Sequence, residues 1–529
     1  MYPMTNSSSL PTEVLDGIAP AIYKRRWQIL ATLCLCLLLV TIGNSSLNLS
    51  LPTLARDLGL TQTQLTWVVD IYPLVFASLL FTASALADRY GRKIFMQSGL
   101  FVFILATVYA AFVANSGMEL IIARGVMGVG GAMVMPTTLS VIENVFPRKE
   151  RARAIAIWSG IAGGGIALGS IITGFLLEHY SWHSVFIFSS TIGVVGFLAN
   201  QLLTPNSRDE KQTPIDWLGG VLTVAGLLGL IYGIIEAPTY GWTNERILGS
   251  LAIGLVSLTL FVWWQTKRKH PMLDMQLFKR PAFAVSALSI TLVFFALMGV
   301  FFSFSQLFQL IIGYGTFESS LRFLPMMLLM MFVSPVVPSI VKKIGVRWTV
   351  TTGLILVAAG FVSMSFWPTI PAYSQVLVSM LIMMTGMSFT MTPSTNMLMS
   401  SVPRNRAGMG SAMNDTTREL GGALGVAVLG SALSAVYTSR ITDSVAVLPA
   451  DLQEIAKHSL AGALGIAQQM GPAGDVIALA AKEAWMQGLS RAVVIAAGIV
   501  SVAAIIAALG LPKHQVKSDD EVFDPVIKG

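Results

Sequence analysis

Charge is what this sequence has least of. Only 12% of its 529 residues are Asp, Glu, Lys or Arg, about half the share of a soluble domain. A soluble chain of this size would lack the polar surface to cover its core. Histidine is scarce too, with five scattered residues, and there are two cysteines. No metal-ligand spacing emerges from so few. Cys34 and Cys36 lie two apart in one apolar run, so on a helix they point away from each other. They read as small apolar fillers rather than a disulfide. No phosphate-binding loop and no nucleophile elbow is present. Enzymatic and nucleotide-driven readings therefore find no support, and no cofactor is expected. The net charge of +7 reads as marking the cytoplasmic side of a membrane protein, not a nucleic-acid surface.

What the chain has is long apolar runs. Fourteen are long enough to cross a bilayer: 27–51, 65–87, 94–115, 118–146, 153–177, 182–203, 215–236, 244–266, 282–313, 317–341, 348–367, 372–401, 406–437 and 487–511. The first follows Lys24, Arg25 and Arg26. It is too long for a signal-peptide core and ends in no small-residue cleavage site, so it reads as a first span. With the N-terminus placed in the cytoplasm, most of the 34 Lys and Arg fall on that side. The outer segments hold Arg56, Arg246, Arg322, Arg440, Lys457, Lys482 and Arg491. A wrong span count would scramble that alternation. An even count returns the C-terminus to the cytoplasm.

The expected fold is thus an all-α integral membrane protein of fourteen helices. Residues 1–26 form a cytoplasmic tail and 27–204 a six-helix bundle. Residues 205–281 carry two linker helices with their loops, 282–511 a second six-helix bundle, and 512–529 a cytoplasmic tail. One outer segment is long, about 438–486. Its pieces "DLQEIAKHSLAGALGIAQQM" and "DVIALAAKEAWMQGL" have helical spacing, which predicts a helical hairpin at the outer surface.

The turn between the second and third runs reads "ALADRYGRK". Basic residues in such a turn are ordinary; Asp88 and Gly91 are not. Gly91 permits a tight turn, and Asp88 can bond a helix end or an arginine across a domain boundary. Ser84-x-x-x-Asp88-Arg89-Tyr90-Gly91-Arg92-Lys93 resembles the cytoplasmic signature of the major facilitator superfamily, with only the leading glycine replaced. "VKKIGVR" (Val341 to Arg347) is a degenerate echo, as a duplicated six-span half would give. Along its length the chain, roughly residues 25–511, resembles the superfamily's fourteen-span drug:proton antiporter branch, which includes pumps for quaternary ammonium compounds and methyl viologen. The resemblance implies the two-bundle fold and a charge latch at 88–93 that holds the cytoplasmic side closed. It implies proton-coupled export of lipophilic, cationic compounds by alternating access, from a monomer in a bacterial inner membrane, with the proton as coupling ion. Export of an endogenous lipid, siderophore or metabolite by the same fold is the alternative.

Five charged residues fall well inside spans, where charge is costly and functional by default. Asp70 sits in the second span, in "TWVVDIYPLVF". Neutralised it would release a cation, and ionised it would attract one; the alternative is a carboxylate that only bonds a helix neighbour. Arg124, in a loose match to R-x-x-x-G-x-G-x-A with Gly128, Gly130 and Ala132, is by resemblance a proton-relay partner; the alternative is a snorkelling arginine. In the thirteenth span Asp415 and Glu419 are four apart and share a face. Arg418 is placed to neutralise Asp415; the resemblance implies substrate or proton binding for the acidic pair, and the alternative is a structural ion cluster. Trp67, Tyr72 and Trp158 are candidates for stacking a cation, with interfacial anchoring the alternative for Trp67.

The sequence also departs from the family pattern. Gly165, Gly169 and Gly174 of the antiporter motif remain, but Ser170 stands at the expected proline and Thr173 at another glycine, so the kink there is in doubt. In the first span Gly43 occupies the place of a family aspartate, while Asn48 and Pro52 match. Span ten carries Met326, Met327, Met330 and Met331 where some relatives carry an acid. A monovalent or neutral substrate fits this thinner set of acids better than a divalent one. Met383, Met384 and Met387 extend the methionine-rich region and are read as adaptable apolar surface or as filler.

Overall fold

The computed structural model describes residues 18–206, 216–269, 271, 273–402 and 407–512, which form helices and loops with no strand among them. Among the described residues thirteen helical segments are long and apolar enough to cross a membrane. A further helix, α5, coincides with the fifth apolar run.

The first half comprises α1 (Pro20–Asp57), α2 (Gln62–Tyr90), α3 (Arg92–Phe112), α4 (Gly117–Val145), α5 (Arg148–His179) and α6 (His183–Leu203). Here α1 packs on α5 and α6, and α3 on α4 and α6. Each helix follows an apolar run, and local chemistry sets its ends. Thr61 opens α2 with a capping box: its hydroxyl accepts from the Gln64 amide at 3.2 Å, and the Gln64 side chain accepts from the Thr61 amide at 3.0 Å. Gly91 ends α2 at φ +106°, a conformation that costs other residues strain.

The linker pair is α7 (Trp217–Tyr240) and α8 (Glu245–Lys267). The two meet along glycines: a Cβ on Gly254 would stand 2.6 Å from the Leu230 backbone nitrogen, the close approach that small residues permit in lipid. Asp216 caps α7 and is fixed by Trp264 Nε1 at 2.9 Å and Gln265 Nε2 at 2.7 Å from α8. While α8 packs chiefly on α7, α7 itself lies against both α2 and the second half.

The second half repeats the pattern. It contains α9 (Pro281–Gln306) with a π-helical turn at Leu307–Ile312, α10 (Thr316–Arg322), α11 (Leu324–Val333), α12 (Val337–Met364), α13 (Tyr373–Ser400), α14 (Ala407–Ile441) and, after the outer segment, α17 (Asp475–Gly510). Now α9 packs on α14 and α17, and α12 on α13 and α17. The tenth apolar run is not one helix. It breaks between α10, α11 and the start of α12, where Pro325, Pro335 and Pro338 interrupt the hydrogen-bond ladder. At Gly345, φ +83° kinks α12, the same device as Gly91.

The outer segment differs from the hairpin expected. α15 (Ala450–His458) and α16 (Leu460–Gln469) form a short pair. The second expected arm, from Asp475, instead runs without a break into the last span. Nothing between Asp475 and Leu511 stops a helix, and its alanine-rich sequence favours continuation.

The halves meet at the end that the charge rule places outside. Gln309 Nε2, in the π-helical turn, donates to the Leu49 carbonyl of α1 at 3.0 Å. The Phe317 amide of α10 donates to Glu178 Oε2 of α5 at 3.3 Å. Gly174 of α5 abuts Ser320, and Gly430 of α14 abuts Thr66 of α2. Among the described residues the two halves therefore touch at this end.

Candidate functional site

On α2, Tyr72 and Val68 turn toward the first half's own core. Tyr72 is buried against Gly128 and Gly131 of α4. Asp70 lies two residues from each and so projects to the opposite side. Its helical neighbours there are Trp67 and Leu74, which pack with Leu227, Ile231 and Ile235 of α7 and with Ala423 and Ala427 of α14. Asp70 thus sits where α2, α7 and α14 converge, on the seam between the halves. It is fully buried, and neither carboxylate oxygen has a hydrogen-bond partner. A carboxylate that merely bonds a helix neighbour is not what the structure shows.

Arg124 occupies the other side of α2. It too is fully buried, so it does not snorkel. Nε donates to the Val68 carbonyl at 3.1 Å and Nη1 to the Gly43 carbonyl at 2.5 Å. The guanidinium lies 4.6 Å from the centre of the Tyr72 ring, and Nη2 has no partner. No acidic side chain lies within ion-pair distance among the described residues. Gly43 stands where the family pattern has an aspartate, and Arg124 here takes its backbone oxygen instead. A Cβ at Gly43 would come 2.9 Å from the Phe103 ring. Tyr72 donates its hydroxyl to the Val40 carbonyl at 3.2 Å. It serves as the platform of Arg124 rather than as a free aromatic for substrate.

The third charged group is on α14. Asp415, Arg418 and Glu419 are half-buried, in contrast to Asp70 and Arg124. Asn414 Nδ2 donates to Asp415 at 3.3 Å, and Thr395 of α13 donates to Asn414 at 3.1 Å. Arg418 reaches Thr395 at 3.5 Å and lies 5.8 Å from the Phe294 ring. Among the described residues no direct ion pair joins it to Asp415 or Glu419, but its charge acts on both carboxylates through space. α14 can lie this close to α9 because a Cβ on Gly421 or Gly425 would collide with the Thr291 or Phe295 backbone.

The remaining sequence candidates separate into structural groups. Trp158 is buried, and its indole donates to Thr138 of α4 at 3.1 Å, which makes it a tie between helices. Gly165 lets α5 approach Thr41 of α1, and Gly174 lets it approach Ser320 of the other half. Gly169 and Ser170 are buried on the same helix, which runs unbroken past the missing proline. Met383, Met384 and Met387 are core filler, whereas Met331 is exposed. In the 88–93 turn, Lys93 Nζ donates to the Gln201 carbonyl of α6 at 2.7 Å, and Arg92 to the Ser140 carbonyl of α4 at 3.3 Å. Arg89 is exposed. These two bonds stay within the first half. The Asp88 side chain lies outside the described residues.

One residue was not singled out from sequence. Glu236 of α7 accepts a hydrogen bond from Trp67 Nε1 at 2.7 Å. Its only sequence signal is a carboxylate at the end of the seventh apolar run, which looks like an ordinary interface residue.

Comparison with known proteins fits this architecture. The model of the Major Facilitator Superfamily matches residues 33–426. The Multidrug efflux pump LfrA of Mycolicibacterium smegmatis is 34% identical across 91% of this chain and 95% of its own length. The Methyl viologen resistance protein SmvA of Salmonella typhimurium is 29% identical across 93% and 99%. The inward-facing crystal structure of a bacterial homolog to the human lysosomal transporter Spinster superposes with a TM-score of 0.62, covering 92% of this chain and 98% of that one at 18% identity. With two repeated helical halves, a buried charge on each side of α2, and these likenesses, the chain belongs to the major facilitator superfamily of membrane transporters and is a multi-pass inner-membrane protein.

Proposed function

We propose that the protein exports lipophilic, chiefly cationic compounds in exchange for protons, and that Asp70 carries the exchangeable proton. The observation behind this reading is the position of Asp70: fully buried, without a partner, on the seam that must part when the halves rock. An ionised carboxylate in so apolar a place is costly, so its charge is stable only when the seam opens to water or a cation arrives. A proton and a cation then compete for one group, which is the requirement of exchange. The names of the relatives, a multidrug efflux pump and a methyl viologen resistance protein, support the substrate class and a role in drug resistance. Arg124, one helix face away, donates to carbonyls of α1 and α2 and sets the local field. Asp415 and Glu419 offer a second, wetter acidic face for substrate. The protein acts as a monomer, with no cofactor beyond the proton.

The test uses inside-out vesicles with an acidic interior. Ethidium is expected to accumulate, and its addition to discharge the pH gradient. In Asp70→Asn both are expected to vanish while the protein remains folded. Accumulation that persists in the variant, or that proceeds without proton movement, contradicts the proposal. No movement of either species by folded wild-type protein shifts the reading to export of a lipid or metabolite.

A further inference from the structure

The linker pair has no counterpart in either six-helix half, yet α7 is not a passive spacer. Thr63 and Thr239 share a hydrogen bond at 3.2 Å, Trp67 donates to Glu236 at 2.7 Å, and Ser431 of α14 donates to the Ile234 carbonyl at 2.9 Å. α7 thus bonds to both walls of the seam that holds Asp70.

Glu236 is the chemically unusual member. It lies in a span, four residues before the helix ends at Tyr240, which is about 6 Å of helix. Among the described residues no Lys, Arg or His stands within ion-pair distance of it, and the Trp67 indole is its one hydrogen-bond partner. A membrane carboxylate with only a neutral donor lacks a counter-charge. Around it stand two rings: Trp67 and Tyr232 are 6.0 Å apart, tilted by 46°. Tyr232 is 36% exposed on the outer surface of α7, and it shares a helix stripe with Glu236. An anionic group bonded to an indole and one helical turn from a phenol, open toward the bilayer, has the components of a site for an organic cation.

We infer that Glu236, Trp67 and Tyr232 form a recognition site for planar or bulky lipophilic cations on the membrane side of the α2–α7–α14 seam, one helical turn from Asp70. The rings supply faces, Glu236 supplies the counter-charge, and the indole bond holds the carboxylate beside them. The linker helix thereby gives this chain a lateral cation site that a twelve-span transporter has no helix to build. This inference takes its substrate class from the efflux reading, but its test needs no proton gradient.

Photoreactive ethidium monoazide is added to the purified protein in lipid nanodiscs, and the labelled segments are identified by mass spectrometry. Labelling of the α7 segment or of the α2 segment around Trp67 is expected, displaced by tetraphenylphosphonium. Glu236→Gln retains an oxygen to accept from Trp67 and removes only the charge. It is expected to reduce that labelling about tenfold while leaving labelling elsewhere intact. Equal labelling in wild type and Glu236→Gln, or labelling confined to other helices, overturns the inference. If α7 is labelled as expected but vesicles exchange no ethidium for protons, the site stands and the coupled-efflux reading fails. If vesicles exchange normally and α7 stays unlabelled, the reverse holds.

Discussion

Gly91 and Gly345 hold the same place in the two halves. Each carries a positive φ, +106° and +83°, and each turns one span into the next. Two residues later a basic side chain reaches the end of that half's last helix: Lys93 bonds the Gln201 carbonyl and Arg347 the Leu511 carbonyl. The helix pairings match as well, α3 with α4 and α6 in one half, α12 with α13 and α17 in the other. The buried charges do not match. The first half seals Asp70 and Arg124 away from water with no ion pair among the described residues. The second half fills the corresponding spans with methionine and keeps its charges half-buried on α14. Duplication thus preserved the turns and helix contacts that either half needs to fold. The chemistry was left free to differ, and the costly groups were concentrated in the half that forms the α2 side of the seam.

That contrast can be broken in order of expected effect. Asp70→Asn is expected to lower drug–proton exchange at least about 100-fold, the scale of a lost proton-transfer group, while Asp415→Asn retains measurable exchange. Initial rates in vesicles compare them. Equal losses would erase the distinction between a sealed and a wet acid.

Arg124→Met is the next largest. Removing a buried charge that lacks a counter-ion relieves desolvation, so stability is expected to hold or rise by about 1 kcal/mol while transport is lost. Arg418→Met, half-buried, is expected to shift stability by less than about 1 kcal/mol. Thermal unfolding in detergent checks both. A strongly destabilised Arg124→Met would make that arginine a structural strut.

Gly91→Ala and Gly345→Ala are each expected to cost about 1–2 kcal/mol from the left-handed backbone. The two losses are expected to be similar, since both arise from the backbone conformation. Denaturation midpoints of the pair read this directly. Smallest are Lys93→Met and Arg347→Met, at about 1 kcal/mol each for one lost hydrogen bond. Matching losses would extend the repeat from geometry to energetics.

Much of this was visible in the sequence. Apolar run length located the helices, and a glycine among charges located the turns at Gly91 and Gly345, since few other residues tolerate that φ. Asp70 was legible because a carboxylate amid apolar residues has few reasons to be there. What stayed hidden depends on tertiary neighbours. Periodicity does not say that Arg124 would bond carbonyls of Gly43 and Val68, or that Arg418 would reach Thr395 and not Asp415. The breaks in the tenth run were written in its prolines. The length of α17 was masked by the polar residues Lys482 and Glu483, which suggested a loop while lying within a continuous helix. Glu236 was missed because only the approach of Trp67 from α2 separates it from an interfacial acid.

The central claim is that one buried group exchanges a proton for a cation. The most direct measurement is proton release when tetraphenylphosphonium is added to purified protein in weakly buffered detergent, followed with a pH-sensitive dye. Wild type is expected to release about one proton per bound cation, in line with a single exchanging carboxylate, and Asp70→Asn none. The same release from Asp70→Asn would place the exchanging proton elsewhere and contradict the account.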